Sequence, residues 1–219
     1  MFKVALPDCD GVILDSEQVY FDAVRETFRH YGVEIGKEEY IRRWMLEQTE
    51  SRGVIRDYGL AVAHAEVSER KARILESMRG SLQIMPGAAE MLQYLRTKGL
   101  KIGVVTSACR AENNAKMKSV GLIDVPDFVV AAEDVARKKP APDPYLKGVE
   151  MSGERPWDVF VVEDNPSGVR SAKGAGCITI AYPNGFTEGM DFSHADAVVA
   201  SLSEINDGML DSLYERTRG

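Results

Sequence analysis

Cysteine is scarce: only three of the 219 residues are Cys, at positions 9, 109 and 177. Scattered and odd in number, they exclude a disulfide framework and point to a reducing cytoplasm. Long apolar runs are missing too. None approaches the roughly 18–20 residues that a membrane helix requires. The opening MFKVALPDCDG lacks the basic start and long apolar stretch of a secretory leader, so none is expected. Basic residues are not in excess either. With 34 acids against 27 bases the net charge is −7, which argues against nonspecific nucleic-acid binding. No internal repeat or low-complexity segment is present. What remains is an ordinary globular composition, 44% apolar and 28% charged, long enough to bury a sizeable core.

The charge is unevenly spread. Residues 16–80 hold 12 acids and 11 bases, and nine of those bases are arginine. Nearly all of the acidic excess therefore lies outside this stretch, and the two parts are expected to do different jobs.

Periodicity separates the same two parts. Lys3 to Leu6 is a short apolar run ending in Pro7-Asp8, a strand feeding an acidic turn. From Glu17 apolar residues recur at helical spacing (Tyr20, Phe21, Val24, Phe28, Tyr31) until Gly32. Tyr40, Ile41, Trp44 and Met45 predict a second helix, and Ala72, Leu75 and Met78 a third. After Met85-Pro86-Gly87, strands alternate with helices. Strands are expected at Lys101 to Val105, Phe128 to Ala131, Val159 to Val162 and Ile178 to Ala181, with a last one at Ala197 to Val199. Such alternation predicts an α/β fold with a mainly parallel, Rossmann-like sheet. The expected organisation is an α/β catalytic core of residues 1–15 and 81–219, interrupted after its first strand by a helical domain, 16–80.

In open α/β sheets, ligands bind at the carboxyl ends of the strands. The first strand delivers Asp8 and Asp10 there, and the second delivers Thr106 and Ser107. The third leads to Lys138 and Lys139, and the fourth to Glu163, Asp164 and Asn165. Gathered carboxylates repel one another and need a cation, and hard oxygen ligands with water favour Mg²⁺. A cation with a lysine and a hydroxyl makes a receptor for a phosphoryl group, whose transfer needs mainly positioning and charge neutralisation. One carboxylate can attack phosphorus, and a second, two residues on, can move the proton.

The segments DCDGVILDS, VVTS, KPAPD and EDNPSG, in this order, resemble the four motifs of the haloacid dehalogenase superfamily. With a helical insertion between the first two, the chain is most similar to the branch of β-phosphoglucomutase and phosphoglycolate phosphatase. The resemblance spans roughly residues 1–185. It implies that Asp8 is the nucleophile and a metal ligand. Asp10 would be the general acid/base and give its backbone carbonyl to Mg²⁺. Thr106, with Ser107 beside it, would bind the phosphoryl group, and Lys139 would neutralise nucleophile and phosphoryl oxygens. Asp164 would bind the metal directly, and Glu163 directly or through a neighbour. The helical insertion would be a cap, and Arg42, Arg43, Arg52 and Arg56 are its candidates for gripping an anion, with Arg52 the nearest to the mutases' cap arginine. Against that stands the plain alternative that these arginines pair with nearby glutamates on the helix surface. Trp44 and Met45 are expected in the core of the insertion.

Asp10 points to phosphate esters rather than halides, because the dehalogenating branch lacks that aspartate. The phosphonate branch needs a cap lysine, and the insertion's only lysines, Lys37 and Lys71, lie in no matching motif. Pro7 and Lys138 depart from the usual Phe and Gly of the motifs. Tyr20 stands where the mutases have His, and their Gly-x-Ser/Thr turn is replaced by Glu47-Gln48-Thr49-Glu50. The expectation is a cytoplasmic Mg²⁺-dependent phosphatase of a small phosphorylated metabolite, a monomer or weak dimer, binding neither nucleic acid nor membrane. A sugar-phosphate mutase and a non-catalytic binding protein on the same fold are the alternatives. Asp15 is open between a turn-ordering and a functional role. Cys9 and Cys109 are read as buried filler rather than a redox pair.

Overall fold

The structure, a computed structural model, describes residues 1–47 and 49–216. The chain forms two compact units, Met1–Asp15 with Gln83–Gly219, and Ser16–Leu82. The second junction lies two residues beyond the one that the sequence pattern suggests.

In chain order the elements begin with β1 (Val4–Pro7), α1 (Ser16–Arg29), α2 (Lys37–Tyr40), α3 (Glu50–Asp57) and α4 (His64–Ser77). There follow α5 (Ala88–Thr97), β2 (Lys101–Val105), α6 (Arg110–Ser119), β3 (Phe128–Val130) and α7 (Asp143–Ser152). The last are β4 (Val159–Glu163), α8 (Pro166–Gly174), β5 (Ile178–Ala181), β6 (Ala197–Val198) and α9 (Asp207–Arg216).

The first unit is a six-stranded sheet of order β3-β2-β1-β4-β5-β6, with every neighbouring pair parallel. β1 is its centre. The chain leaves β1 toward β2 on one side and later returns to β4 on the other. Such a reversal opens a crevice at the carboxyl end of the central strand, where Asp8 follows directly. β1 and β4 are buried throughout and carry continuous apolar runs, as strands covered on both faces do. Leu6, Val105, Val130, Tyr145, Val149 and Val161 share one core cluster. Full burial of each such aliphatic side chain stabilises the fold by roughly 1.5–3 kcal/mol. Two glycines let layers approach. A Cβ at Gly103 would lie 2.3 Å from the Phe128 ring, and one at Gly148 would lie 2.8 Å from Leu6 Cδ1.

α9 has no counterpart in the sequence reading. It buries Leu210, Leu213 and Tyr214, sets Tyr214 against Phe2 at 5.1 Å between rings, and donates the Tyr214 hydroxyl to Asp158 at 2.7 Å.

The second unit is all helical among its described residues. α1 buries Phe21, Ala23, Val24, Thr27 and Phe28 on one face. Tyr40 stacks on Trp44 at 5.1 Å and meets Phe21 edge-on at 5.3 Å, so Trp44 lies in an aromatic cluster. The helix expected around Tyr40–Met45 is α2 followed by a π-helical turn, Ile41–Leu46, in which Glu47 N–H reaches Arg42 O at 2.8 Å. Arg43, within this wider turn, is only 4% exposed, and it is paired with Glu39 and Asp57 at 2.8 Å each. α3 is short and was not expected. Its first residue, Glu50, sits in the left-handed region at φ 47°. No described helix is long and apolar enough to cross a membrane.

Candidate active site

The site begins with the turn after β1. Asp8 N–H donates to Val162 O at 2.9 Å, which ties the residue to β4. The chain then doubles back: Ile13 and Leu14 both donate to Cys9 O, and Gly11 donates to Leu14 O. Gly11 has φ +81°, and a Cβ there would stand 2.1 Å from Asp164 Oδ2. Only glycine fits both the left-handed turn and the carboxylate pressed against it.

Asp8 is buried, and its Oδ1 is ion-paired with Lys139 Nζ. The same ammonium lies 2.6 Å from Glu163 Oε1 and 3.3 Å from Val105 O. Burial pushes the Asp8 carboxyl up, to about 7, with the charges of Glu163 and Asp10 adding to it and Lys139 pulling the other way. For Lys139, burial opposes the charge, but Asp8 and Glu163 outweigh it and hold the ammonium above its usual range.

Glu163 is 1% exposed. Tyr145 Oη donates to its Oε1 at 2.7 Å, and Asn165 N–H donates to Oε2 at 3.3 Å. A Cβ at Gly168 would lie 1.8 Å from Oε1, so the carboxylate rests on bare helix backbone. Asp164, next along β4's end, accepts from Asn184 Nδ2 at 2.8 Å, and Asn184 also donates to Gly11 O at 3.2 Å. Asn165 caps α8 by accepting from Ser167 N–H at 2.9 Å.

Thr106 closes β2 with its N–H on Val130 O, and its Oγ1 accepts from Ala108 N–H at 3.1 Å. The hydroxyl lies 3.4 Å from Asp10 Oδ2. Ser107 beside it is exposed. Asp10 Oδ1 accepts from Lys116 Nζ at 2.6 Å.

One edge of the sheet thus carries Asp8, Asp10, Thr106, Lys139, Glu163 and Asp164; ion pairs link Asp8 and Glu163 through Lys139, and a hydrogen bond links Asp10 with Thr106. The carboxylates expected at a shared cation, Asp8, Asp164 and, directly or through a neighbour, Glu163, are not gathered as one set. Among the described residues no three Asp, Glu, His or Cys side chains are placed to hold an ion by themselves. Glu163 is turned instead to Lys139 and Tyr145. Two carboxylates, Asp8 and Asp164, and the Asp10 carbonyl remain as donors. This all-oxygen set suits Mg²⁺, which is bound through one or two carboxylates and keeps several waters.

Of the candidate arginines in the helical unit, Arg43 is buried on its acid partners, Arg42 pairs with Glu39 and Glu47, and Arg56 pairs with Asp57. The plain alternative of surface pairing with neighbouring acids holds for Arg42 and Arg56, whereas Arg43 is paired in the interior. Arg52 is exposed and has no ion pair among the described residues. Asp15 donates its N–H to Gln83 O at 2.9 Å, which ties down the turn. Cys9 is buried and its thiol is pushed up, chiefly by burial, whereas Cys109 is exposed rather than the filler expected.

Three site residues are not apparent from the motifs: Lys116, Tyr145 and Asn184. Tyr145 carries the one legible signal, since it falls on the buried stripe of α7 with Val149 and Ser152.

A family model described as "Haloacid dehalogenase-like hydrolase" matches residues 6–182. Protein CbbY of Rhodobacter capsulatus is 31% identical over 219 residues, covering 92% of this chain and 94% of that protein. Hexitol phosphatase A of Escherichia coli (strain K12) is 31% identical over 207 residues, covering 93% of each. A crystal structure of β-phosphoglucomutase from Clostridium difficile shares the fold, with a TM-score of 0.77 at 20% identity over 99% of both chains.

Proposed function

Because the chain belongs to the haloacid dehalogenase-like hydrolases, in the β-phosphoglucomutase and phosphoglycolate phosphatase branch, and is a phosphoric monoester hydrolase, we propose that it is a Mg²⁺-dependent phosphatase of a small phosphorylated metabolite, a sugar phosphate or similar monoester. Catalysis runs through an aspartyl-phosphate on Asp8. The name of the hexitol phosphatase relative supports the substrate class.

The observation that carries the mechanism is the Asp8–Lys139–Glu163 cluster at the end of the central strand. Asp8 attacks phosphorus while Lys139 holds its carboxylate and offers positive charge to the phosphoryl oxygens. Asp10 protonates the leaving oxygen, then takes a proton from the water that hydrolyses the aspartyl-phosphate. Thr106 and Ser107 hydrogen-bond the phosphoryl group. Asp8, Asp164 and the Asp10 carbonyl are the residues that would hold Mg²⁺, and the ion would supply further charge neutralisation at the phosphoryl oxygens.

Asp8→Asn keeps the shape of the side chain and removes the nucleophile. Turnover of sugar phosphates and of p-nitrophenyl phosphate should fall by roughly a thousandfold or more. Chelation of divalent cations should silence the native enzyme, with activity returning on added Mg²⁺. Undiminished hydrolysis by the Asn variant would sink the mechanism.

A further inference from the structure

Asp10, the proton carrier of the proposed reaction, is gripped by a side chain to which that reaction gives no part. Lys116 stands in the middle of α6, and its Nζ is 2.6 Å from Asp10 Oδ1. The lysine side chain is 14% exposed and that of Asp10 is 31% exposed. Glu112, one turn earlier, also nears the ammonium, but at 3.6 Å and with 43% of its side chain exposed, so Asp10 is the closer and drier partner. The register of the helix is set by packing. Met117 is fully buried, and its sulfur lies 3.9 Å from Cys9 Sγ, the residue between the two aspartates. Each aspartate of the Asp8-Cys9-Asp10 segment therefore has a lysine of its own, Lys139 for Asp8 and Lys116 for Asp10.

An ammonium at this distance holds an ionised carboxylate by a charge-assisted hydrogen bond, and a protonated one only by a weaker bond to its carbonyl oxygen. Of the two tasks assigned to Asp10, only the second starts from the ionised form. We infer that Lys116 is a positioning residue for the second half-reaction, in which it fixes the Asp10 carboxylate to receive a proton from the attacking water. The inference rests on the proposed phosphatase function. In that step the water oxygen bonds to phosphorus, and the P–O bond to Asp8 breaks with its electron pair returning to the Asp8 carboxylate. The water's proton passes to Asp10. The products are inorganic phosphate, free Asp8 and a protonated Asp10 ready for the next leaving group.

The test is Lys116→Met, which keeps the stem and removes the charge, assayed with p-nitrophenyl phosphate. This ester has a good leaving group and needs little help from an acid. Slower hydrolysis of the aspartyl-phosphate should lower kcat by about tenfold or more and lower KM with it, leaving kcat/KM within about twofold. In stopped flow a burst of one p-nitrophenolate per enzyme should appear, a signature that a merely structural defect does not produce. Lys116→Arg should restore kcat to within about threefold, since it returns a cation to the same place. An unchanged kcat, or a fall in kcat and kcat/KM together with no burst, would overturn the inference. Should the Met variant fail to fold, Lys116→Gln carries the same burst test. If both fail while the Arg variant folds, the lysine is structural and the inference falls. Asp8→Asn separates the two levels. A live Asn variant removes the phosphatase reading itself, whereas a dead one with a burst-free Lys116→Met removes only this proposal.

Discussion

Lys139 and Glu163 form the driest ion pair of the site, with side chains 8% and 1% exposed. Taking an ion out of water costs several kcal/mol even after relaxation, so neither would stay charged there alone. Glu163 is anchored in turn by the Tyr145 hydroxyl, which burial, then Glu163 and Asp8, hold protonated and able to donate. Tyr145→Phe removes that donor and keeps the ring. A hydrogen bond to a buried charged group contributes about 1.5–3 kcal/mol, so the urea midpoint should fall by the corresponding amount, and turnover should fall with it as Lys139 loses definition. An unchanged midpoint and full turnover would mean that Glu163 needs no anchor. At this scale the sequence was legible where a polar residue directly follows an apolar run, as at Asp8, Thr106 and Asp164. It was silent about Lys116, whose partner is 106 positions away. Helical periodicity marks the buried face of α6, but not which charge on its border meets another element. Asn184 is hidden for the same reason, because the loop after β5 carries no pattern that points to Asp164.

Helices and strands show a different limit. The strands were readable because parallel, doubly covered strands are short unbroken apolar runs. The π-helical turn at Ile41–Leu46 was not, because one extra residue in a turn leaves the local apolar spacing nearly intact. α3 has few apolar residues, with only Ser51, Gly53 and Val54 buried, and its eight residues are too few for an apolar repeat to show in the sequence. α8 offers a sharp test of how the site constrains an element. In a helix, Gly→Ala normally stabilises by about 0.5–1 kcal/mol. At Gly208, in α9, the nearest atom to a new Cβ is 3.5 Å away, and Gly208→Ala should follow that rule. At Gly168 the new Cβ would land 1.8 Å from a carboxylate pinned by Lys139 and Tyr145. Gly168→Ala should therefore destabilise, by about 1–3 kcal/mol, the range for forced misfits in packed interiors. Denaturant midpoints of the two variants should move in opposite directions, and movement in the same direction would show that Glu163 yields at little cost.

At the scale of the whole molecule, the parallel sheet explains why residues so far apart in the chain act together. The ends of β1, β2 and β4 and the loop before α7 lie at one edge, and they bring residues 8, 106, 139 and 163 within reach of one another or of a shared neighbour. Net charge is −7, yet two half-buried ammonium groups, Lys139 and Lys116, stand at the end of the central strand, each matched to a carboxylate. In the helical unit, three of the four candidate arginines are paired with Glu39, Glu47 or Asp57, and Arg52 is the candidate with no ion pair among the described residues. The central claim is that Asp8 becomes covalently phosphorylated, and acid quenching during turnover of a ³²P-labelled sugar phosphate tests it most directly. The account predicts hydroxylamine-labile label on the peptide containing Asp8, and none in Asp8→Asn. Rapid turnover with no trapped label in the native enzyme or in Lys116→Met, or label that persists in Asp8→Asn, would contradict it.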